Sequence, residues 1–322
     1  MAKPLSRSAH REPPAANKKN RVIFIVGPTA VGKSEIAVAL ASKINAEIIS
    51  CDSMQVYKKM KIATQKPSLA LRRRVKHHLI SIISPAREYS AADYQKQAHS
   101  KVKEIIKKGK FPLFVGGSGF YMSILLDGIF KEQTKDKKIR GRLYRKAGRY
   151  GREKLYRELA KVDPQAALKI HPHDLRRIVR ALEVYEKTRV PISELQKQRK
   201  GVLDGHQVQI FCLNRDREDL YRRIDRRVDV MFRQGLVREA KGLLDGRLSQ
   251  TASQAIGINE IKGYYDGQFD LEEARRLIKR NSRHYAKRQL SWFRRDKRID
   301  WIVIRPKESI KDIVKKIYGR LG

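Results

Sequence analysis

The chain is 322 residues long, room for one large or two ordinary domains, and carries 73 Lys and Arg against 34 Asp and Glu, a net charge of +39. A surplus spread along most of the length is the footprint of a polyanion binder, because phosphates neutralised by Lys and Arg release counterions. No long apolar run, signal-peptide pattern or lipid-anchor motif is visible, and two cysteines, Cys51 and Cys212, make neither a disulfide framework nor a Cys-based zinc site; no membrane partner is expected, and a reducing cytoplasm fits best.

Residues 1–20 hold three prolines and scattered basic residues but almost no large apolar side chains, so they read as a flexible basic arm. The first strand is expected at 22–26, followed by Gly27-Pro28-Thr29-Ala30-Val31-Gly32-Lys33-Ser34 and a helix from Ser34 to Lys43. This is a phosphate-binding loop. Its two glycines let backbone N–H groups turn inward, Lys33 can reach terminal phosphoryl oxygens, and the Ser34 hydroxyl can ligate Mg²⁺. A nucleotide such as ATP is the default occupant, and the loop alone does not choose among phosphorylated ligands.

A second strand at 46–50 delivers Asp52 to the carboxyl edge of the sheet, where ligands of open α/β folds bind. There Asp52 could hold the hydration shell of Mg²⁺, accept a proton from a nucleophile, or simply bond its own turn. Further strands are expected at 78–83, 111–115, 208–213 and 301–304. Ser90-Ala91-Ala92-Asp93 predicts a capping box opening a helix to about Lys108, and a long helix is expected over 271–297. Gly116-Gly117-Ser118-Gly119-Phe120-Tyr121 stands at the same edge as Asp52. It is as well explained by an N-cap after a tight turn as by a site. Residues 131–204 shift to Lys, Arg, Glu and Leu with helical periodicity, which predicts an inserted all-helical subdomain. The expected architecture is α/β, a P-loop NTPase-like parallel sheet flanked by helices, built from 21–130 and 205–322.

The ordered set of Gly27 to Ser34, Ser50-Cys51-Asp52-Ser53-Met54-Gln55-Val56-Tyr57 and Gly116 to Tyr121 resembles the tRNA dimethylallyltransferase family, bacterial type. His171-Pro172-His173-Asp174, Arg177 to Glu183, Gly235-Leu236-Val237 and Tyr285 to Phe293 extend the resemblance over about residues 21–300. It implies transfer of a dimethylallyl group from dimethylallyl diphosphate to the exocyclic amine of adenosine 37, 3′ of the anticodon in tRNA, with Mg²⁺ as cofactor at Ser34. The phosphate loop then cradles a leaving diphosphate, and Lys33, Ser34 with Mg²⁺, and a further arginine suffice to stabilise its departure.

Carried over by motif, the resemblance implies Asp52 as general base, Ser118 in place of the usual threonine and Arg140 near the reacting centre. It places Gly27, Pro28, Thr29, Ala30, Val31, Gly32, Lys33, Ser34 and Arg217 at the donor. It implies that the helical insertion 131–204 contacts tRNA, and it implies tRNA contacts from Asp52, Ser53, Met54, Gln55, Arg176, Arg177, Ile178, Val179, Arg180, Asn281, Arg283, Lys287 and Arg288. The family's pattern is broken by Arg176, where Gln is usual, and by Ile258-Asn259, where Tyr-Lys or similar is common. The partner implied is a tRNA anticodon stem-loop with its target base flipped out, and a monomer is expected. A small-molecule P-loop kinase, a prenyltransferase acting on free adenine nucleotides and a non-catalytic RNA-binding protein are the competing readings. The charge and the helical insertion disfavour the first two, and the intact Gly27, Gly32, Lys33, Ser34 and Asp52 disfavour the third.

Overall fold

The computed structural model describes residues 20–130 and 136–321. The basic arm expected over 1–20 therefore lies, but for residue 20, outside the described residues. In chain order the elements are β1 (Arg21–Val26), α1 (Lys33–Ile44), β2 (Ala46–Ser50), α2 (Leu69–Arg74), β3 (His77–His78), α3 (Ala91–Lys107), β4 (Phe111–Gly116) and α4 (Gly119–Leu126). Five helices follow: α5 (Lys137–Tyr150), α6 (Arg152–Val162), α7 (Pro164–Lys169), α8 (Leu175–Thr188) and α9 (Ile192–Lys197). The remainder is β5 (Gln207–Arg215), α10 (Arg217–Arg233), α11 (Leu236–Leu244), α12 (Ile258–Tyr265), α13 (Leu271–Phe293), β6 (Ile299–Ile304) and α14 (Ile310–Tyr318).

The six strands form one parallel sheet in the order β3-β2-β4-β1-β5-β6. β1 is buried along its whole length, as a central strand covered on both faces must be. Strand order reverses at β1, which pairs with β4 on one side and β5 on the other, so the loop after it opens at the topological switch point. Phe24 and Phe114 stack at 4.6 Å across that junction. On one face, Ile36, Leu40 and Ile44 of α1 pack with Ile313 and Ile317 of α14 in a core that includes Ile23, Ile25 and Leu213.

The strand expected at 78–83 is cut to two residues. Leu79 and Ser81 take left-handed φ values of 60° and 56°, which breaks the pleat. The Ser81 and Ile82 amides instead donate to the carbonyls of Gln55 and Val56, at 2.9 and 2.8 Å. The capping box forms: Ser90 Oγ accepts the Asp93 amide at 3.2 Å and Asp93 Oδ2 accepts the Ser90 amide at 2.9 Å.

The chain divides into two compact units, one of residues through 123 with 205 onward, the other of Ile124–Asp204. The second is helical and owns a separate core, with Leu143 of α5, Leu155 and Leu159 of α6, and Ile178 and Leu182 of α8 at its centre. It begins several residues before the composition shift at 131, because α4 ends inside it.

Candidate active site at the carboxyl edge of the sheet

The loop after β1 is shaped by two glycines that no other residue replaces freely. Gly27 (φ 144°) is so close to β5 that a Cβ would sit 2.6 Å from the Leu213 carbonyl oxygen, and Gly32 (φ 106°) caps α1 in the left-handed region. Lys33 folds across the loop, its Nζ donating to the carbonyls of Gly27 at 2.9 Å and Pro28 at 2.7 Å. Burial, with the Arg227 guanidinium, lowers its pKa to about 8, against the pull of Asp52. Ser34 Oγ makes no hydrogen bond among the described residues and lines the cleft.

Three arginines ring the loop. Arg215, at the end of β5, donates from Nε to the Val31 carbonyl at 3.0 Å. Arg223 and Arg227, one turn apart on α10, donate to the Ala30 carbonyl at 3.0 Å and to Thr29 Oγ1 at 3.1 Å. Burial and Arg223 lower Arg227 to about 10. Cations crowded in this way, several bonded only to carbonyls and a hydroxyl, are relieved by an anion between them.

Arg217, the arginine the family resemblance puts at the donor, does not lie there. It is exposed on the first turn of α10 with its guanidinium 5.3 Å from the Tyr221 ring centre. The helix repeat turns the positions six and ten residues later toward the loop instead.

Asp52 follows β2 and faces the same cleft, a cavity of about 270 Å³ lined by Lys33, Ser34, Gln55, Lys66, Arg223, Arg227 and Tyr285 among others. Its Oδ1 accepts the amides of Met54 at 2.9 Å and Gln55 at 3.3 Å, so the turn and the site share one carboxylate. Burial raises its pKa, opposed by the Met54 amide and then by Lys33, with Lys66 contributing. Ser118 Oγ accepts the Ser53 amide at 3.2 Å, which ties the turn after β4 to the turn after β2. Gly116 permits that approach: a Cβ there would be 1.9 Å from the Cys51 carbonyl oxygen. The Gln55 amide is held by Ser50 Oγ at 3.1 Å and by the carbonyls of Thr64 and Gln65 at 3.4 Å.

Residues the sequence reading did not single out complete the cleft. Gln289 of α13, nearly buried, accepts the Thr29 amide at 2.8 Å and donates to the Gly117 carbonyl at 2.9 Å, pinning the phosphate loop to the β4 turn. A Cβ on Gly117 would lie 2.0 Å from its amide nitrogen. Lys66 enters on a loop whose Lys61, Ile62 and Ala63 amides converge on the Glu239 carboxylate of α11 at 2.8 to 2.9 Å. Burial lowers Lys66 to about 8. The sequence signal for Gln289 and Tyr285 was their place in the motif Tyr285 to Phe293; Arg223 and Arg227 stood among many arginines with no local mark.

Other expected positions divide into paired and free groups. Asn281 donates to Glu260 Oε1 at 2.7 Å, and Arg283 binds both oxygens of Asp225 at 2.6 and 2.8 Å, so both serve packing of α13 onto its neighbours. Lys287 and Arg288 are exposed, Arg288 beside the Tyr285 ring. In the helical unit Arg176 and Arg177 are exposed, whereas Ile178 and Val179 are core residues, not contact residues. Arg140 and Arg180 both pair with the fully buried Glu183, at 2.7 and 2.9 Å. Burial pushes Glu183 up, but the Asp136 amide and the two guanidinium bonds outweigh it and leave its pKa lowered.

Among the described residues no cluster of three His, Cys, Asp or Glu side chains forms a metal cage, and no helix is long and apolar enough to cross a membrane. A free hydroxyl at Ser34 with a carboxylate nearby suits Mg²⁺ carried in with a diphosphate and its own waters, the usual habit of that ion.

Comparison with known proteins agrees with this geometry. The IPP transferase family model matches residues 55–296. The chain is 48% identical over 304 residues to a tRNA dimethylallyltransferase of Carboxydothermus hydrogenoformans, covering 94% of this chain and 97% of that one. It is 43% identical over 324 residues to one of Halothermothrix orenii, covering 100% and 97%. Among solved structures, a tRNA isopentenylpyrophosphate transferase from Bacillus halodurans matches with a TM-score of 0.70 at 40% identity, covering 94% and 95%. A eukaryotic dimethylallyltransferase described as acting on tRNA matches with 0.75 at 31%, covering 88% of this chain and 74% of that one. With a family model matched over more than half its length and relatives this similar end to end, the chain belongs to the IPP transferase family.

Proposed function

We propose that the protein transfers the dimethylallyl group of dimethylallyl diphosphate to the exocyclic amine of adenosine 37 in tRNA, releasing diphosphate. The observation that carries the reading is one cleft holding both halves of that chemistry: a cationic phosphate loop and a carboxylate raised toward neutrality by burial. Lys33, Arg223 and Arg227 hold the diphosphate and neutralise the charge that grows on it as the allylic carbon–oxygen bond breaks. Mg²⁺, held by Ser34 and the diphosphate itself, would add to that neutralisation. Asp52 orients the amine and takes its proton as the new carbon–nitrogen bond forms. Ser53 and Ser118 fix the turn on which Asp52 sits, and the surplus of Lys and Arg supplies attraction for RNA. The relatives' name, tRNA dimethylallyltransferase, and the tRNA in the eukaryotic relative's description support the acceptor.

The test is to incubate the protein with total tRNA, Mg²⁺ and dimethylallyl diphosphate, then weigh the nucleosides. A dimethylallyl-adenosine mass supports the reading. ATP-dependent phosphorylation without prenyl transfer, or AMP serving as acceptor where an anticodon stem-loop fails, overturns it.

A further inference from the structure

The loop between β2 and α2 is held in place by a carboxylate from far along the chain. Lys61 donates its amide to Oε2 of Glu239 at 2.8 Å, Ala63 to Oε1 at 2.8 Å, and Ile62 to both oxygens at 2.9 Å. Hydrogen bonds to an ionised acceptor are roughly twice as strong as neutral ones, so this is a firm hold on three successive amides. The loop needs it. Lys59 and Gln65, neither of them glycine, take left-handed φ values of 61° and 50°, a conformation that persists only where the surroundings impose it.

A surface loop stapled for stability alone is the ordinary explanation. The chain beyond the staple speaks for more: Thr64, Gln65, Lys66, Pro67 and Ser68, the residues that follow directly, all line the cleft that holds Asp52. Glu239 itself is not among the lining residues, so whatever it does there it does through the loop.

Gln55 makes the link to Asp52. Its Nε2 donates to the carbonyls of Thr64 and Gln65, both at 3.4 Å, while its Oε1 accepts Ser50 Oγ at 3.1 Å. The side chain thus spans from the end of β2 to the loop, with both ends engaged inside the protein. Its backbone amide donates to Asp52 Oδ1 at 3.3 Å, beside that of Met54. The turn that carries Asp52 therefore hangs between a strand end and a loop whose place Glu239 sets. A general base works over a heavy-atom distance of about 2.6–3.2 Å, and a displacement of about 1 Å costs on the order of 10² in rate.

We propose that Glu239 is a positioning residue for the transfer: acting through the 61–65 loop and Gln55, it holds the Asp52 carboxylate where the acceptor amine presents its proton. The role rests on the reaction proposed above and adds to it a residue of α11 outside the cleft.

The experiment compares Glu239→Ala, Glu239→Gln, Gln55→Met and the double variant Glu239→Ala with Gln55→Met, all in the full chain. Turnover of an anticodon stem-loop with dimethylallyl diphosphate gives kcat and both KM values. Calorimetric titration with inorganic diphosphate and Mg²⁺ reports whether the phosphate loop is intact, because Lys33, Arg223 and Arg227 take their partners from that loop and not from Glu239. Glu239→Ala is expected to lower kcat by about tenfold or more, with diphosphate affinity and the KM for RNA changed by less than about twofold. Glu239→Gln keeps one oxygen for the amides and should recover part of the loss. Gln55→Met should lower kcat by a factor similar to that of Glu239→Ala, and the double variant should fall no further, since both cut one path. An intact kcat in Glu239→Ala overturns the proposal, as do losses that multiply in the double variant. So does a Gln55→Met variant that raises the KM for RNA and spares kcat, which turns that amide toward the acceptor instead. Should Glu239→Ala lose diphosphate as well, Gln55→Met, which leaves α11 untouched, decides by the same kcat. A wild type that prenylates beside a fully active Glu239→Ala variant leaves the reaction standing and removes the positioning role; a wild type that binds diphosphate and prenylates nothing removes both.

Discussion

Asp52 accepts two turn amides on Oδ1 and lines the cleft beside the phosphate loop, so in the proposed reaction its proton affinity sets the rate of proton transfer. Burial raises its pKa against the Met54 amide and Lys33, so the base loses its proton at a higher pH than an ordinary aspartate. Lys33 is the opposite case: its pKa is lowered to about 8, so the free enzyme loses that ammonium, and with it donor affinity, as pH climbs through 8. The kcat/KM for donor should therefore trace a bell with an acid limb set by Asp52 and an alkaline limb near 8. The alkaline limb of kcat should move to higher pH, because bound diphosphate stabilises the ammonium. Lys66 also titrates at about 8; a Lys66→Met variant that keeps the alkaline limb assigns it to Lys33. Asp52→Ala should lower kcat by about 10² or more with tRNA affinity nearly intact. Loss of donor binding with kcat preserved would remove the proton-transfer role.

Gln289 is a second residue-scale test. Gln289→Leu keeps the volume but leaves the Thr29 amide and the Gly117 carbonyl without their partner, an expected cost of about 1–3 kcal/mol for each group that stays dry. The loop loses its fixed distance from the β4 turn, and the KM for donor should rise by about tenfold or more with tRNA affinity unchanged. An unaltered donor KM would mean that the loop holds its shape without the pin.

Elements, rather than single residues, explain what could be read from the sequence. The phosphate loop and Asp52 were legible because each follows an apolar strand directly, and a parallel sheet sends both to one edge. The 78–83 run deceived because β-branched composition cannot reveal two left-handed residues that turn its amides toward the 55–56 loop. α10 was misread at Arg217 because a basic helix names no face; its register sends Arg223 and Arg227 to the loop and Asp225 and Asp229 to Arg283 and Lys279 of α13. Asn281 and Arg283, expected at RNA, find partners in Glu260 and Asp225 through the same register. The loop at 61–66 had no signal at all, since Glu239 holds it from a distance of more than 170 residues in sequence. Glu239→Ala should release the amides of Lys61, Ile62 and Ala63, speeding their hydrogen exchange by about tenfold or more while β1 and β4 amides stay protected. Unchanged exchange at those three residues would refute the anchoring role.

At the scale of the molecule, the helical unit carries everything a small domain needs. Its core draws only on its own helices, with Leu143, Leu155, Leu159, Ile178 and Leu182 fully or almost fully buried. Asp163 caps α7 through the Ala166 amide at 2.9 Å and reaches the Ser193 amide at 2.9 Å, which closes the unit upon itself. Chain enters and leaves it side by side: the Leu203 amide donates to the Leu125 carbonyl at 3.3 Å, and a Cβ on Gly201 would lie 1.9 Å from the Leu126 carbonyl oxygen. Such a neck can be cut and closed by a short linker at little entropic cost. A peptide of residues 124–204 should therefore be helical by circular dichroism and melt cooperatively. The complementary chain, with 129–199 replaced by two or three glycines, should keep the sheet and bind inorganic diphosphate with near-normal affinity, because Lys33, Ser34, Arg223, Arg227 and Gln289 all belong to the larger unit. Its tRNA affinity should fall by at least tenfold and its salt slope should flatten, since the seven Lys and Arg of α5 and the exposed Arg176 and Arg177 leave with the insertion. A shortened chain that unfolds together with an insertion that melts without cooperativity would show that the two cores are stable only as one. A shortened chain that folds but loses diphosphate would place part of the donor site in the insertion.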